Sequence, residues 1–319
     1  IIAVNASNTV LKKLRKIKKT FINFEKKKPS LLTWVKLFRI HQWSKNILIF
    51  FPLIAAQQYF NLENMLLLTL AFIIFGICAS STYLINDVFD IKNDRLHHNK
   101  RYRPFAAGNI PISFSLIALL ILPCAILLAS LISKNFMFLM MLYILITFCY
   151  SFYFKSIPIV DCLVLASLYT IRVVGGAIVL SSSLSFWLLA FSAMFFFSLS
   201  LLKRYAEISR LVELGKKSLF GRGYELEDMH LILNMGISSG YGSIIIMMLY
   251  LNSPEIIKLH NYNEFAWLTI PVLLFWMSYI WLQAHRNKIA DDPVIFSMRD
   301  LKSILSGIAF FAFMLIGSQ

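Results

Sequence analysis

The chain has 319 residues, of which 58% are hydrophobic and only 15% are charged, and 28 of them are phenylalanine. This composition excludes a water-soluble globular protein, because so much apolar surface could not be kept from water. The formal net charge of +15 does not require a nucleic-acid partner, since membrane orientation and anionic lipid heads explain basic residues that lie between apolar runs. We therefore predict an integral multi-pass membrane protein that binds membrane lipids and no nucleic acid.

The amino-terminal part, residues 1–35, is a basic segment that precedes the first apolar run. Its apolar residues follow helical spacing, which predicts an interfacial helix on the cytoplasmic side. They are Leu11, Leu14, Ile17 and Phe21. The alternative is that this segment is the remnant of a domain cut away upstream. The transmembrane domain is predicted at 36–319.

Apolar runs of about the 20 residues that a membrane-spanning helix needs follow this segment. They lie at about 46–60, 65–85, 114–133, 136–154, 158–180, 185–202, 231–251, 264–283 and 301–318. The first is the shortest and contains Pro52. These runs predict an all-α fold, a polytopic bundle of about nine transmembrane helices.

The distribution of the 31 Lys and Arg residues tests this topology, since short cytoplasmic loops are rich in them. Nearly all of them fall on one side of the predicted bundle. The other side has only Lys134 and Lys258, and Arg172 lies inside an apolar run. This asymmetry predicts a cytoplasmic amino terminus, and a bacterial inner membrane is the expected location.

The end of the second apolar run carries the strongest candidate site. Spacings of three, four and seven place Asp87, Asp90 and Asp94 on one face of a helix, with Asn86 beside Asp90. Crowded carboxylates repel one another, and Mg²⁺ relieves this repulsion while taking waters and substrate phosphates as its other ligands. The pattern therefore predicts a metal-bridged phosphate site on the cytoplasmic face.

Three cations, Lys100, Arg101 and Arg103, follow these acids directly. Such side chains suit phosphate oxygens. The alternative is that acids and cations only solvate a helix end. The recurrence of acids on one face, followed at once by cations, favours the phosphate site.

A second candidate lies in the fifth apolar run. Arg172 stands eleven residues after Asp161, and steps of about 100° return both to nearly the same face. An intramembrane Arg is by default a functional candidate, and the alternative is a structural ion pair between neighbouring helices. Gly175 and Gly176 beside it predict close packing or a bend.

Several blocks resemble the UbiA superfamily of membrane-embedded transferases. The motif NDxxDxxxD followed by Lys-Arg-x-Arg-Pro is one, and the others are FRIHQWSKN at 38–46, YLINDVFDIKNDR at 83–95, YSFYFK at 150–155, LYTIRVVGGA at 168–177 and LLKRYAE at 201–207. These blocks look most like the branch that contains decaprenyl-phosphate phosphoribosyltransferase. AVNAS near the start, GRGY at 221–224 and DDPVIFSMRD at 291–300 resemble relatives fused to a haloacid-dehalogenase-type phosphatase domain, which implies such a domain or partner upstream.

The resemblance implies a UbiA-type bundle and a Mg²⁺-dependent transfer in which a diphosphate departs and a lipid is joined to a partner. It implies that the three aspartates hold Mg²⁺ against the diphosphate as catalytic residues. The cations that follow them would neutralise the charge growing on the leaving group. The Phe-rich stretch 191–197 is expected to face lipid or to line a polyprenyl groove.

One departure from the family pattern concerns the substrates. Aromatic prenyltransferases resemble one another in a second Asp-rich motif around a Tyr-Ala pair, where this chain has Lys203 and Arg204 before Tyr205 and Ala206. Cations in place of acids argue against a second metal and favour a pocket that holds more phosphate than one diphosphate. The further candidates for substrate binding are Lys45, Asn86, Tyr150, Lys155, Asp161 and Arg172, although Lys45 and Lys155 could equally be snorkelling lysines.

We therefore predict transfer of phosphoribosyl from phosphoribosyl diphosphate to a polyprenyl phosphate, with loss of diphosphate. The first alternative is a prenyltransferase that moves an isoprenyl chain from an allylic diphosphate to an aromatic acceptor. The alternative from another class is a lipid or metabolite transporter. Transporter sites usually lie near the bilayer midplane between repeated halves, whereas these acids lie at a cytoplasmic edge.

Overall fold

The computed structural model of the protein describes residues 2–4, 8–17, 22–24, 29–55, 61–96, 100–182, 185–213, 222–254, 263–289 and 292–317. The α-helices in these ranges are α1 Asn8–Lys16, α2 Leu31–Leu37, α3 Phe51–Ala55, α4 Leu62–Phe89, α5 Ile91–Leu96, α6 Ile117–Ile132, α7 Lys134–Phe152, α8 Val160–Val179, α9 Phe186–Glu213, α10 Met229–Leu251, α11 Asn263–Trp267, α12 Thr269–His285, α13 Pro293–Ser297 and α14 Leu301–Gly317. The 3₁₀ helices are Ile40–Phe50, Lys100–Tyr102, Ile112–Leu116, Phe154–Ser156 and Leu226–Asp228.

Seven helical segments in the described part of the chain are long and apolar enough to cross a membrane. They are Leu62–Phe89, Ile112–Ile132, Lys134–Phe152, Val160–Val179, Phe186–Glu213, Leu226–Leu251 and Glu264–His285. The helix α14 is apolar but shorter. Together these elements overlap eight of the predicted runs, so the all-α membrane fold is confirmed.

The first predicted run, 46–60, differs from one long helix. A 3₁₀ helix extends over Ile40–Phe50 and is followed by the five-residue α3, while residues 56–60 lie outside the described part. Pro52 stands in the first turn of α3, where its missing N–H costs no helical hydrogen bond. The change of helix type therefore falls at the proline, and the count of nine is not confirmed.

The amino-terminal segment contains the helix α1 where an interfacial helix was predicted. It lies between two short strands, β1 at Ile2–Val4 and β2 at Ile22–Phe24, which pair in parallel with Ile2 opposite Ile22. The side chains of Leu11 and Phe21 lie outside the described part.

One compact unit comprises residues 1–41 and 80–122. Its core is formed by Leu37, Leu84, Ile91, Phe105, Ile110 and Ala118. The rings of Trp34 and Phe114 meet edge to face with their centroids 4.8 Å apart beside this core. This packing anchors the end of α4 and the loop that follows it.

The other compact unit comprises residues 42–79 and 123–319 and contains α7 to α14. The approach of α8 to the 3₁₀ helix depends on Gly176, because a Cβ atom there would overlap the backbone carbonyl of Ile49. The close packing predicted beside Arg172 is thereby observed.

Candidate functional site

The acidic cluster consists of Asp87, Asp90 and Asp94 and lies at the junction of α4 and α5. Helical hydrogen bonding continues across the junction, since the Asp90 amide donates to the Asn86 carbonyl at 3.0 Å and the Asp94 amide donates to the Asp90 carbonyl at 2.8 Å. The junction therefore keeps the helical register from which a shared face was inferred.

Two arginines hold two of these carboxylates. Arg103 Nη1 lies 3.2 Å from Asp87 Oδ1 and 2.7 Å from Asp94 Oδ2, and Arg39 also forms an ion pair with Asp87. Asp87 and Asp94 are each only 3% exposed, so either charge would be costly without its partner. The Asp90 carboxylate instead accepts a hydrogen bond from the side-chain nitrogen Nδ2 of Asn86 at 3.0 Å.

Two of the three predicted acids, Asp87 and Asp94, could each offer an oxygen to a divalent cation. A single point, taken by Arg103 Nη1, lies within 3.2 Å of an oxygen from each of two aspartates. Carboxylate oxygens are preferred Mg²⁺ ligands, and waters and phosphate oxygens complete the shell. Within the described residues no group of three His, Cys, Asp or Glu side chains is placed to hold an ion, so the protein would supply only part of the coordination.

The predicted cations after the acids are not placed alike. Arg103 contacts the acidic cluster, whereas Lys100 and Arg101 are exposed in a short 3₁₀ helix. Arg101 donates to the Tyr102 hydroxyl at 2.7 Å and stacks on its ring. Of these three predicted cations, Arg103 is therefore the one that the fold brings to the buried carboxylates.

Arg39 is a residue that sequence reasoning missed. It follows α2 with φ at +49°, a conformation uncommon for residues with a side chain, and its guanidinium lies 4.7 Å from the centroid of the Tyr83 ring. It belongs to the block FRIHQWSKN, so its position within a family block was the available signal.

A second charged site lies in the other unit and is built on what we call the lysine pair, Lys45 and Lys203. Lys45 Nζ lies 2.7 Å and Lys203 Nζ lies 3.4 Å from the same oxygen, Asp292 Oδ2. Lys45 is 8% exposed and Asp292 is 6% exposed. The fold thus brings two predicted phosphate-binding lysines to one buried carboxylate.

Asp292 is fixed on both of its oxygens. It caps α13, and its Oδ1 accepts a hydrogen bond from the Val294 amide at 3.0 Å. Burial by itself would raise the pKa of Asp292, but Lys203, Lys45 and the amide outweigh burial and hold that pKa below its ordinary value. The carboxylate therefore stays ionised and keeps both ammonium groups in place.

Asp161, at the start of α8, is fully buried in a separate network. Its carboxylate lies 2.7 Å from Arg204 Nε and 3.2 Å from Arg222 Nη1, and it accepts a hydrogen bond from the Tyr224 hydroxyl at 2.5 Å. Glu207 pairs with both arginines. These contacts form a buried ion-pair network that joins α8 to α9.

Two more of the predicted residues, Tyr150 and Arg204, belong to the same network. Arg222 Nη1 donates to the Tyr150 hydroxyl at 3.3 Å. Arg204 is wholly buried, and its Nη2 has no hydrogen-bond partner among the described residues. Burial, helped by Cys162 and Asp161, raises the pKa of Tyr224 above its ordinary value, so its hydroxyl stays a donor. Arg204 itself pairs with the carboxylates of Asp161 and Glu207.

Arg172 is also buried, at 4% exposure. Its Nε donates to Asn46 Oδ1 at 3.0 Å, it donates to the Leu168 carbonyl, and its guanidinium lies 5.0 Å from the centroid of the Phe75 ring and 5.3 Å from that of Tyr143. Because Asn46 is the neighbour of Lys45, Arg172 holds the 3₁₀ helix that carries Lys45. Lys155, another predicted residue, is half-buried after α7.

An apolar cavity of about 220 Å³ lies in the same unit as the lysine pair. The Phe-rich stretch contributes Phe191, Phe195 and Phe196 to its wall, and Trp276 completes an aromatic side. The Tyr169 ring stacks on Phe196 at 5.1 Å between centroids. Lining a groove was one of the two alternatives predicted for this stretch.

Sequence reasoning missed four further charged or polar residues of these networks. They are Glu207, Arg222, Tyr224 and Asp292. All four lie in quoted blocks, Glu207 in LLKRYAE, Arg222 and Tyr224 in GRGY and Asp292 in DDPVIFSMRD, although Gly221 and Asp291 fall outside the described residues. Membership of these blocks was the signal available, but their partners lie far away in sequence.

Comparison with known proteins agrees with this fold. The chain is 38% identical over 277 residues to the uncharacterized protein y4nM of Sinorhizobium fredii, covering 86% of this chain and 54% of that protein. It is 34% identical over 181 residues to decaprenyl-phosphate phosphoribosyltransferase of Mycobacterium tuberculosis, covering 54% of this chain and 59% of that enzyme. The chain thus spans little more than half the length of these relatives, and an upstream phosphatase domain stays a prediction.

The fold is shared with solved structures. A UbiA homolog from Archaeoglobus fulgidus bound to GPP and Mg²⁺ aligns with a TM-score of 0.64 at 15% identity, covering 88% of this chain and 99% of that one. Residues 47–298 match the UbiA prenyltransferase family. The predicted superfamily is confirmed: the chain is an integral membrane protein that belongs to the UbiA prenyltransferase family of transferases.

Proposed function

We propose that the protein is a Mg²⁺-dependent transferase that moves phosphoribosyl from phosphoribosyl diphosphate to a polyprenyl phosphate and releases diphosphate. The acidic cluster would bind the diphosphate group of the phosphoribosyl donor. Asp87 and Asp94 would hold Mg²⁺, with Asp90 at the same junction. When bound, the ion supplies positive charge to the departing diphosphate.

The protein's own cations would complete the donor site. Arg103 lies between the two buried carboxylates and can turn its guanidinium to diphosphate oxygens, to which Arg donates with good geometry. The exposed Lys100 and Arg101 would add positive charge on the surface beside the acidic cluster. These groups stabilise the negative charge that grows on the leaving group.

The transfer is a single displacement at the anomeric carbon. An oxygen of the lipid phosphate forms a new C–O bond, the C–O bond to diphosphate breaks, and diphosphate leaves with the bonding electrons. Because the attacking oxygen is already anionic, no strong general base is required. The protein's task is to place two anionic substrates together and to balance their charge.

The observation that carries this choice of substrates is the lysine pair. Lys45 and Lys203 converge on Asp292, and Lys203 lies where aromatic prenyltransferases resemble one another in a second acidic motif. Carboxylates there would suit a second metal, whereas ammonium groups suit a second phosphorylated substrate. An aromatic acceptor carries no phosphate that would need them.

We assign positioning roles to the remaining predicted residues that are buried. Arg172 holds Asn46, and Asp161 and Arg204 join α8 to α9. Tyr150 is tied to the same network through Arg222. Lys155, half-buried on the side predicted to be cytoplasmic, would add a further cation for phosphate.

A transfer assay tests the proposal. Purified protein receives Mg²⁺, a polyprenyl phosphate and phosphoribosyl diphosphate labelled in the ribose, or instead an allylic diphosphate with an aromatic acceptor. With the first donor we expect the ribose label to enter the lipid fraction, and with the second we expect no prenylated aromatic product. Asp87→Asn and Asp94→Asn should each lower the rate of phosphoribosyl transfer by roughly 100-fold or more. The exposed Lys92→Ala variant on α5 is the matched control.

Two outcomes contradict the proposal. Prenylation of the aromatic acceptor without use of phosphoribosyl diphosphate would establish the aromatic prenyltransferase. Movement of a phosphorylated lipid across vesicles, with no bond formed or broken and with flux lost in Asp87→Asn, would establish the transporter.

A further inference from the structure

The lysine pair is assembled from distant parts of the chain. Lys45 comes from the 3₁₀ helix Ile40–Phe50, Lys203 from α9, and Asp292 from the residue before α13. One buried ion pair would need only one of the two lysines. Two ammonium groups from separate elements therefore meet at one buried carboxylate oxygen.

Two more cations lie close to the pair in the chain and in the fold. Lys203 neighbours Arg204, which with Arg222 faces Asp161 and Glu207. Among the described residues, the ion pairs of these two neighbouring groups involve four cations, Lys45, Lys203, Arg204 and Arg222, and three carboxylates, Asp161, Glu207 and Asp292. Cations gathered in a buried place are favourable to an anion.

The apolar cavity shares its elements with the lysine pair. Lys45 Nζ lies 5.5 Å from the centroid of the Tyr169 ring, and that ring stacks on Phe196, which lines the cavity. Leu48, three residues after Lys45, and Ser297, at the end of the helix that Asp292 caps, line it too. A chain of side-chain contacts through the Tyr169 ring therefore links the lysine pair to the wall of the apolar cavity.

The volume of the apolar cavity limits the length of hydrocarbon chain that it can hold. Its volume of about 220 Å³ is below the roughly 300–1,000 Å³ of pockets that enclose a drug-sized ligand. It has room for the first units of a branched hydrocarbon chain, and the remainder of a longer chain would continue among lipid tails.

We propose that the lysine pair and this cavity together form the acceptor site, which binds a lipid monophosphate with its phosphate on Lys45 and Lys203 and its first isoprene units against the aromatic wall. The assignment rests on the proposed function for the identity of the acceptor. Asp292 holds both ammonium groups in position before the lipid arrives.

Binding without turnover tests this site. Purified full-length protein in detergent, with EDTA and no donor, is titrated with farnesyl monophosphate, farnesol or farnesyl diphosphate by calorimetry. We expect the monophosphate to bind more tightly than the other two. Lys45→Ala and Lys203→Ala should each weaken monophosphate binding by roughly tenfold or more, because each removes a charged hydrogen bond, and should leave farnesol binding unchanged.

A cavity variant and a matched control complete the test. Gly307 lines the cavity, and a Cβ there would meet nothing within 4 Å. Gly307→Leu should therefore fold and weaken both farnesol and the monophosphate by filling the chamber. Lys288→Ala, which removes an exposed lysine of the same unit, should bind all three ligands as the wild type does.

Specific results would overturn the assignment. Equal affinity for farnesol and its monophosphate, a preference for the diphosphate, or unchanged binding in both lysine variants would each do so. If the site binds the monophosphate as expected but no phosphoribosyl is transferred, the proposed function is wrong and the lipid-phosphate site stands. If Lys45→Ala and Lys203→Ala lose monophosphate binding but transfer phosphoribosyl at the wild-type rate, the proposed function stands and the acceptor site is wrong.

Discussion

Buried charges in this protein are placed by specific partners. Asp87 and Asp94 share Arg103, and Asp87 also pairs with Arg39. Two carboxylates and two guanidinium groups are thereby neutral together without an ion. The arginines thus stabilise the two buried carboxylates. Under the proposed function, Mg²⁺ would replace the arginines at the carboxylates, and the arginines would turn to the diphosphate.

Arg103→Ala tests this exchange. Its removal leaves two nearly buried carboxylates facing each other, and breaking such a pair costs about 3 kcal/mol or more. We expect a clearly lower thermal midpoint in EDTA, measured by unfolding in detergent. Millimolar Mg²⁺ should raise that midpoint more in the variant than in the wild type, because the ion can replace the lost cation.

Lys92→Ala is the control for Arg103→Ala, since Lys92 is an exposed cation of α5. Its midpoint should match the wild type with and without Mg²⁺. An Arg103→Ala variant that Mg²⁺ stabilises no more than it stabilises the wild type would mean that the two aspartates do not share an ion.

At the scale of elements, the 3₁₀ helix Ile40–Phe50 positions one half of the lysine pair. Its backbone lies against α8 at Gly176, and Arg172 of α8 holds the side chain of Asn46. A segment with the poorer hydrogen-bond geometry of a 3₁₀ helix is thus supported by a neighbouring α-helix. The support places Lys45 near Tyr169 and Asp292.

Gly176→Ala tests this support. The added methyl group would overlap the Ile49 carbonyl, and overpacking of this kind costs about 1–3 kcal/mol. We expect a lower thermal midpoint in detergent. Gly307→Ala is the matched control in another helix, where the open surroundings and the better helix propensity of Ala predict an equal or slightly higher midpoint. Equal midpoints in both variants would argue against the contact.

At the scale of the whole molecule, charge asymmetry sets the orientation in the membrane. We propose that the amino terminus and the acidic cluster face the cytoplasm, because Lys and Arg collect in the loops on that side. The phosphorylated donor would then be drawn from the cytosol, and the lipid acceptor from the bilayer.

Cysteine labelling tests the orientation. In a variant whose four cysteines are replaced, Asn109→Cys and Lys134→Cys are exposed positions predicted to lie on opposite sides. A membrane-impermeant maleimide should label position 134 in intact cells and position 109 only in inverted vesicles. The reverse pattern would overturn the orientation while leaving the fold unaffected.

Local patterns made much of this protein predictable. Hydrophobic runs located eight helices to within a few residues at most ends, and helical spacing brought Asp87, Asp90 and Asp94 to one junction. The run with Pro52 is not confirmed as a ninth spanning helix, because hydropathy reports apolar character and does not distinguish a 3₁₀ helix followed by a short α-helix from one continuous helix.

The sequence by itself determined the membrane class, the helix positions, the family and the candidate acids, since each depends on composition or on spacing along one element. Only the tertiary structure decided which charges meet: Lys45 with Asp292 across 247 residues, Asp161 with Arg204, and Arg172 with Asn46. Pairing across helices depends on which faces pack together, and in a buried, low-dielectric interior that choice decides whether a cation is available to substrate or is held by a carboxylate.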